Sequence, residues 1–80
     1  TNPKYPASDA RRGKEGWVKV GFTISDFGTV TEAKILDSEG GRGFEKSSLA
    51  VLEEWRYAPK FEDGKPIEAY ATVQLDFRMN

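Results

Sequence analysis

The protein has 80 residues, a formal net charge of −1, and neither cysteine nor histidine. A chain of this length forms one small domain, and without those two residue types it offers no disulfide, no thiolate zinc site and no histidine general base. Its twelve basic residues are scattered among thirteen acidic ones, which disfavours a nucleic-acid partner because phosphate binding needs concentrated positive charge. We therefore expect a single domain over residues 1–80 that is not an enzyme and carries no cofactor.

The chain begins with proline-containing sequence that favours an extended backbone. Pro3 and Pro6 each bias the preceding residue away from helical geometry, so we expect an extended N-terminal segment over residues 1–5. Pro6 also suits the first position of a helix, and Gly13 supplies a left-handed stop. The sequence predicts a short helix over residues 6–12.

Two strands are predicted next. Apolar and other residues alternate strictly from residue 17 to residue 25, which is typical of a strand with one buried face. Asp26-Phe27-Gly28 closes a hairpin, and residues 30–37 form the returning strand. Val30 is out of phase with Ala33 and Ile35, so we expect a bulge between Val30 and Ala33.

The middle of the chain predicts the main helix, which runs from Phe44 to the stop at Pro59. One face is mostly apolar and follows helical spacing: Phe44, Ser48, Val51, Leu52 and Trp55. We expect Trp55 to be buried between this helix and the sheet. The glycine-rich residues 40–43 lack the Lys-Ser/Thr pair of a phosphate-binding loop, so they are interpreted as a flexible connector.

The last part of the chain predicts a turn and a third long strand. Asp63-Gly64 is a strong turn signal, flanked by a short loop or minor hairpin. Residues 69–77 then alternate between apolar and other side chains. The predicted order is α-β-β-α-β. The fold class is α+β, a two-layer sandwich with a three-stranded antiparallel sheet covered by one main helix plus a short N-terminal helix.

Two hypotheses about side-chain chemistry have little support in the sequence. Ser47 and Ser48 have no histidine to activate them as nucleophiles. Five aromatic and basic residues could form a platform for single-stranded nucleic acid: Tyr5, Trp17, Lys19, Tyr70 and Arg78. The acidic balance of the chain disfavours such a platform. The simpler interpretation is that Trp17 lies half-buried under the first helix.

A series of short motifs, in order, resembles the C-terminal domain of the TonB family over nearly the whole chain. The motifs are Tyr5-Pro6, Glu15-Gly16 before Val18-Lys19-Val20, Gly28-x-Val30, Ile35, Phe44-Glu45 and Trp55-Arg56-Tyr57-x-Pro59. The resemblance implies a periplasmic domain, tethered by an N-terminal region to the inner membrane and to proton-driven motor proteins there. It also implies that TonB-dependent outer-membrane transporters are partners, gripped at their TonB box to drive uptake of iron siderophores or cobalamin.

The resemblance implies two partner-binding segments, one before and including Tyr-Pro and one on the final strand. The open edge of a sheet is a template for strand addition, which supports the second segment independently, and the same edge could pair with itself in a weak homodimer. The candidate partner-binding residues are Asn2, Pro3, Lys4, Tyr5, Pro6, Ala69, Tyr70, Ala71, Thr72, Val73, Gln74, Leu75, Asp76 and Phe77.

Two alternative functions share this architecture. A TolA-like scaffold of the cell envelope would bind another protein surface, although such sequences generally lack the Trp-x-Tyr-x-Pro ending. A TonB-like appendage of a membrane sensor would have no transporter partner. Sequence upstream of Thr1 would discriminate between them, because a transducer has one membrane helix and a proline-rich linker there.

Overall fold

The computed structural model of the protein describes residues 2–79; Thr1 of the predicted N-terminal segment, and Asn80, lie outside the described residues. Within residues 2–79, two helices and five strands follow one another. They are α1 (Ala7–Arg11), β1 (Gly16–Ile24), β2 (Val30–Glu39), α2 (Arg42–Leu52), β3 (Lys60–Glu62), β4 (Lys65–Ile67) and β5 (Ala69–Phe77). None of these helices is long and apolar enough to cross a membrane.

The predicted α+β sandwich is confirmed. β1 lies at the centre of a three-stranded antiparallel sheet of order β2-β1-β5, and α2 packs over β1 and β2. Burial of apolar side chains between these layers is the main favourable contribution to folding. The core consists of Val18, Val20, Phe22, Phe44, Val51, Leu52, Leu75 and Phe77.

The main helix differs from the prediction at both ends. It begins at Arg42, within the glycine-rich segment, and it ends at Leu52, so Trp55 lies beyond it. Past the end of the helix, the Arg56 guanidinium donates to the carbonyl groups of Glu53 and Trp55 at 3.0 and 2.8 Å. Trp55 still packs against the core, but it is half-buried rather than enclosed by the helix and the sheet.

Residues after the helix are held by the turn between β1 and β2. Thr29 forms a bridge with Arg56, and the Tyr57 amide donates to the Gly28 carbonyl at 2.8 Å. Gly28 has a φ of 88°, and a side chain there would collide with the Tyr57 carbonyl group. The predicted hairpin glycine therefore serves both the turn and a close backbone contact.

The early start of α2 depends on a small residue in its first turn. A Cβ atom added to Gly43 would lie 2.5 Å from Asp9 Oδ2 and 3.3 Å from Pro6 Cγ, and Asp9 is itself buried. The glycine thus lets α1 and its carboxylate approach the amino end of α2, where negative charge is favourable. Gly43 is a packing position and not the flexible connector that the sequence predicted.

We expect Gly43→Ala to lower the free energy of unfolding by about 1 kcal/mol, because overpacking outweighs the usual advantage of alanine in a helix. Urea denaturation of the variant and the parent measures the difference. Lys46→Ala, at an exposed position on the same helix, is the control and should change stability little. A stabilised Gly43→Ala variant would show that Asp9 does not confine this position.

The short hairpin predicted near residue 64 is present. β3 and β4 pair through a two-residue turn in which Asp63 and Gly64 have φ values of 53° and 78°. Positive φ at both central residues matches the type I′ turn favoured by Asp-Gly. The hairpin forms a separate two-stranded sheet, outside the order β2-β1-β5.

Candidate partner-binding edge

β5 is an edge strand with an unbroken register. All nine of its residues pair with β1, from Gly16 opposite Phe77 to Ile24 opposite Ala69, without a bulge. Among residues 2–79, no strand pairs with the other edge of β5. Every second residue of an edge strand directs its N–H and C=O groups away from the sheet, so β5 offers a regular row of backbone donors and acceptors to an extended partner.

The side chains of β5 alternate as the sequence predicted. Those on the outer face are exposed: Tyr70, Thr72, Gln74 and Asp76. On the core face, Leu75 and Phe77 are buried, whereas Ala69, Ala71 and Val73 are half-buried, because α2 packs over β1 and β2. The first half of β5 therefore combines an open backbone edge with a partly uncovered apolar face.

The opposite edge of the sheet, formed by β2, is irregular. Its pairing with β1 shifts register between Gly21 and Thr23, which confirms the predicted bulge, and again between Lys19 and Val20, which the sequence did not predict. Glu32, in the first bulge, has a φ of 51°. Bulges interrupt the alternation of backbone groups along an edge and discourage strand addition. β5 is thus the better template of the two edges.

The N-terminal segment lies against α2 and the core. The hydroxyl group of Ser47 donates to the carbonyl group of Lys4. The Tyr5 hydroxyl donates to the carbonyl group of Lys14. A groove of about 490 Å³ lies along this contact and is lined by Asn2, Lys4, Pro6, Lys46, Ser47, Ala50, Val51 and Glu54.

The two predicted partner-binding segments meet at an aromatic cluster. The Tyr5 ring packs edge-on against Phe44 and Phe77, with centroids 5.6 and 5.7 Å away, and the two phenylalanine rings stack at 4.3 Å. Lys14 and Ser47, which hold the N-terminal segment, were not predicted from the sequence. Their roles depend on contacts with backbone carbonyl groups, which leave no trace in residue periodicity.

The Tyr5 phenol has a raised pKa. Desolvation is the main cause, and the nearby carboxylates of Glu15 and Asp9 add to it by disfavouring a negative phenolate.

Among residues 2–79, no cluster of acidic residues is arranged to hold a metal ion. The observed features of the site are a backbone edge, aromatic contacts and hydrogen bonds.

We expect the parent protein to lose stability at alkaline pH more steeply than Tyr5→Phe. The folded protein holds the phenol proton more tightly than the unfolded chain does, so the stabilisation is complete below the ordinary pKa of 10.0 and is lost as the pH rises through the raised value. Thermal melts between about pH 9 and pH 11 measure this. Parallel declines in the two proteins would show that Tyr5 does not contribute.

Comparison with known protein families agrees with this architecture. The family model described as Gram-negative bacterial TonB protein C-terminal matches residues 1–79. Protein TonB of Pseudomonas aeruginosa is 34% identical over 77 residues, which cover 96% of this chain and 22% of that protein. Protein TonB of Vibrio cholerae is 26% identical over 77 residues, covering 96% of this chain and 32% of that protein. The chain thus spans less than a third of the length of either relative.

Solved structures agree as well. The solution structure of the Pseudomonas aeruginosa TonB CTD superposes with a TM-score of 0.87 at 33% identity, covering 99% of this chain and 80% of that one. The structure of the TonB2 protein from Vibrio anguillarum superposes with a TM-score of 0.75 at 35% identity, covering 99% and 76%. On the family match and these likenesses, this chain belongs to the family of Gram-negative bacterial TonB C-terminal domains.

Proposed function

We propose that this domain is a non-enzymatic binding and force-transmitting module that engages the TonB box of outer-membrane transporters by strand addition at β5. The observation that carries the proposal is the contrast between the two sheet edges. β5 has an unbroken nine-residue register, whereas β2 is bulged twice. An extended peptide can therefore continue the sheet at β5 through main-chain hydrogen bonds.

A short peptide that uses part of this edge would bind with modest affinity. About five backbone hydrogen bonds at a net ~0.5–1.5 kcal/mol each contribute at most about 7.5 kcal/mol before the cost of association, so binding is nearer micromolar than nanomolar. A strand pulled along its own length must break its hydrogen bonds nearly together. A weak complex of this kind can carry load briefly and still dissociate, which suits a repeating transport cycle.

Family membership supports a proposal about the cellular role. We infer a periplasmic location, an inner-membrane tether on the N-terminal side and coupling to proton-driven motor proteins. The energy would serve uptake of iron siderophores or cobalamin. The relatives named Protein TonB are three to five times as long as this chain. We therefore propose these features for a protein of that length, with this domain as its partner-binding part.

An NMR titration of the ¹⁵N-labelled chain with a synthetic TonB-box peptide tests the proposal. We expect the largest amide shifts along β5, slower hydrogen exchange at alternate β5 amides, and little change along β2. A scrambled peptide of the same composition is the control. Shifts concentrated around the groove beside Asn2 and Ala50, with β5 unchanged, would contradict strand addition.

The free β5 edge also favours weak self-pairing. In an antiparallel homodimer through this edge, the same amides would be occupied by a second copy, so peptide binding and dimerisation would compete. A dilution series of the labelled chain without peptide measures this. Concentration-dependent shifts on β5 that the peptide suppresses are the expected result, and shifts that are independent of concentration would exclude the dimer.

A further inference from the structure

We propose that Tyr5 is a mechanical link that transmits force from the N-terminal segment directly to the docking strand β5. The inference rests on the proposed function, in which force reaches the domain from its N-terminal side and leaves it through β5. Tyr5 and Phe77 are 72 positions apart in the sequence, yet their ring centroids lie 5.7 Å apart. Load can pass between these residues without crossing β1 or β2.

The ring of Tyr5 is held on several sides. Phe77 belongs to the last position of β5, and Phe44, at 0% exposure, supports both aromatic neighbours from α2. The phenol hydroxyl donates to the carbonyl group of Lys14. A side chain fixed by two edge-on ring contacts and one hydrogen bond resists displacement in more than one direction.

The backbone on either side of Tyr5 has little slack. On the N-terminal side, the Lys4 carbonyl accepts the hydroxyl hydrogen bond of Ser47. On the other side, Pro6 has a φ of −63°, and its ring prevents rotation about that bond. Tension applied at Asn2 is therefore met first by the Ser47 contact and next by the Tyr5 ring, before it reaches α1.

Single-molecule pulling tests this link with handles on the chain itself. The protein has no cysteine, so Asn2→Cys and Gln74→Cys, both at exposed positions, provide unique attachment points on the N-terminal segment and on β5. The control geometry uses Arg12→Cys with Gln74→Cys, because force that enters at residue 12 bypasses Tyr5. Each geometry is measured with tyrosine, phenylalanine and leucine at position 5.

We expect the parent to open in one step in the 2–74 geometry. Tyr5→Leu should add an earlier step of up to roughly 18 Å, the extended length of the segment between Asn2 and the start of α1, and should detach that segment roughly tenfold faster. Tyr5→Phe keeps the ring contacts and should lie between the two. In the 12–74 geometry, all three proteins should open at the same force.

Two results would overturn the inference. One is an unchanged opening force for Tyr5→Leu in the 2–74 geometry; the other is an equal loss of force in both geometries, which would make Tyr5 a general stabiliser. Because the handles are on the chain, the pulling result does not depend on peptide binding. If the peptide titration shows no amide shifts along β5, the proposed function is refuted. If the peptide binds normally but Tyr5→Leu leaves the opening force unchanged, only the Tyr5 link is refuted.

Discussion

Replacement of Phe44 by alanine is expected to lower the free energy of unfolding by about 3–5 kcal/mol, the usual cost of removing a buried phenylalanine. The side chain is fully buried and stacks on Phe77 with centroids 4.3 Å apart. It also meets the Tyr5 ring. The variant therefore loses both apolar burial and the contacts that join α2 to β5 and the N-terminal segment, a large share of the stability of a small domain.

Urea denaturation followed by circular dichroism measures this loss. Phe44→Leu keeps most of the volume and should cost less than Phe44→Ala, since a smaller cavity is left behind. Leu49→Ala is the matched control on the same helix, because Leu49 is only half-buried. An equal cost for Phe44→Ala and Leu49→Ala would contradict the placement of Phe44 at the centre of the core.

Replacement of Gly28 by alanine should cost about 2–3 kcal/mol. A φ of 88° is unfavourable for an L-residue by roughly 1–2 kcal/mol, and the new Cβ atom would collide with the Tyr57 carbonyl group. Relief of that collision would weaken the hydrogen bond from the Tyr57 amide to the Gly28 carbonyl, at a further ~0.5–1.5 kcal/mol. The expected readout is a lower midpoint in thermal and urea melts.

Gly13→Ala separates backbone strain from collision. Gly13 also has positive φ, at 64°, but a Cβ atom there would meet nothing within 4 Å. Its alanine variant should therefore show the strain alone, about 1–2 kcal/mol. If Gly28→Ala is no more destabilising than Gly13→Ala, the close contact between the hairpin turn and residues after α2 does not contribute to stability.

The fold class was predictable from the sequence because periodicity reports which residues face a common core. β1 and β5 alternate cleanly, and β5 was predicted with the bounds Ala69–Phe77 that the structure has. The end of α2 was not predictable, because the mostly apolar pattern through Trp55 continues past Leu52. The residues after the helix instead pair with the turn at Gly28, a contact between residues far apart in the sequence.

The candidate site also combines features that the sequence predicts with features that only the structure reveals. Alternation identifies β5 as a strand, but only the strand order makes it an edge. Likewise, the break in apolar alternation at Val30 located one bulge in β2. The second bulge, near Leu36, leaves no signal in the alternation because it shifts the pairing in the middle of a long strand. The contact of Tyr5 with Phe77 depends on how the two ends of the chain pack.

The most direct test of strand addition at β5 is peptide affinity in proline variants of that strand. Thr72 and Gln74 are two positions apart and direct their N–H groups to the same edge, whereas Val73 between them directs its own to the other. Of Thr72→Pro and Val73→Pro, one breaks the ladder with β1 and destabilises the fold. The other removes only an outward donor and obstructs an added strand.

Circular dichroism identifies the variant that remains folded, and calorimetric titration with the TonB-box peptide measures its affinity. Thr72→Val keeps the backbone N–H and is the control, which should bind like the parent. In the folded proline variant, we predict a rise in Kd of at least about tenfold, the equivalent of about 1.4 kcal/mol. If the folded proline variant binds the TonB-box peptide with the parent's affinity, strand addition at β5 is contradicted.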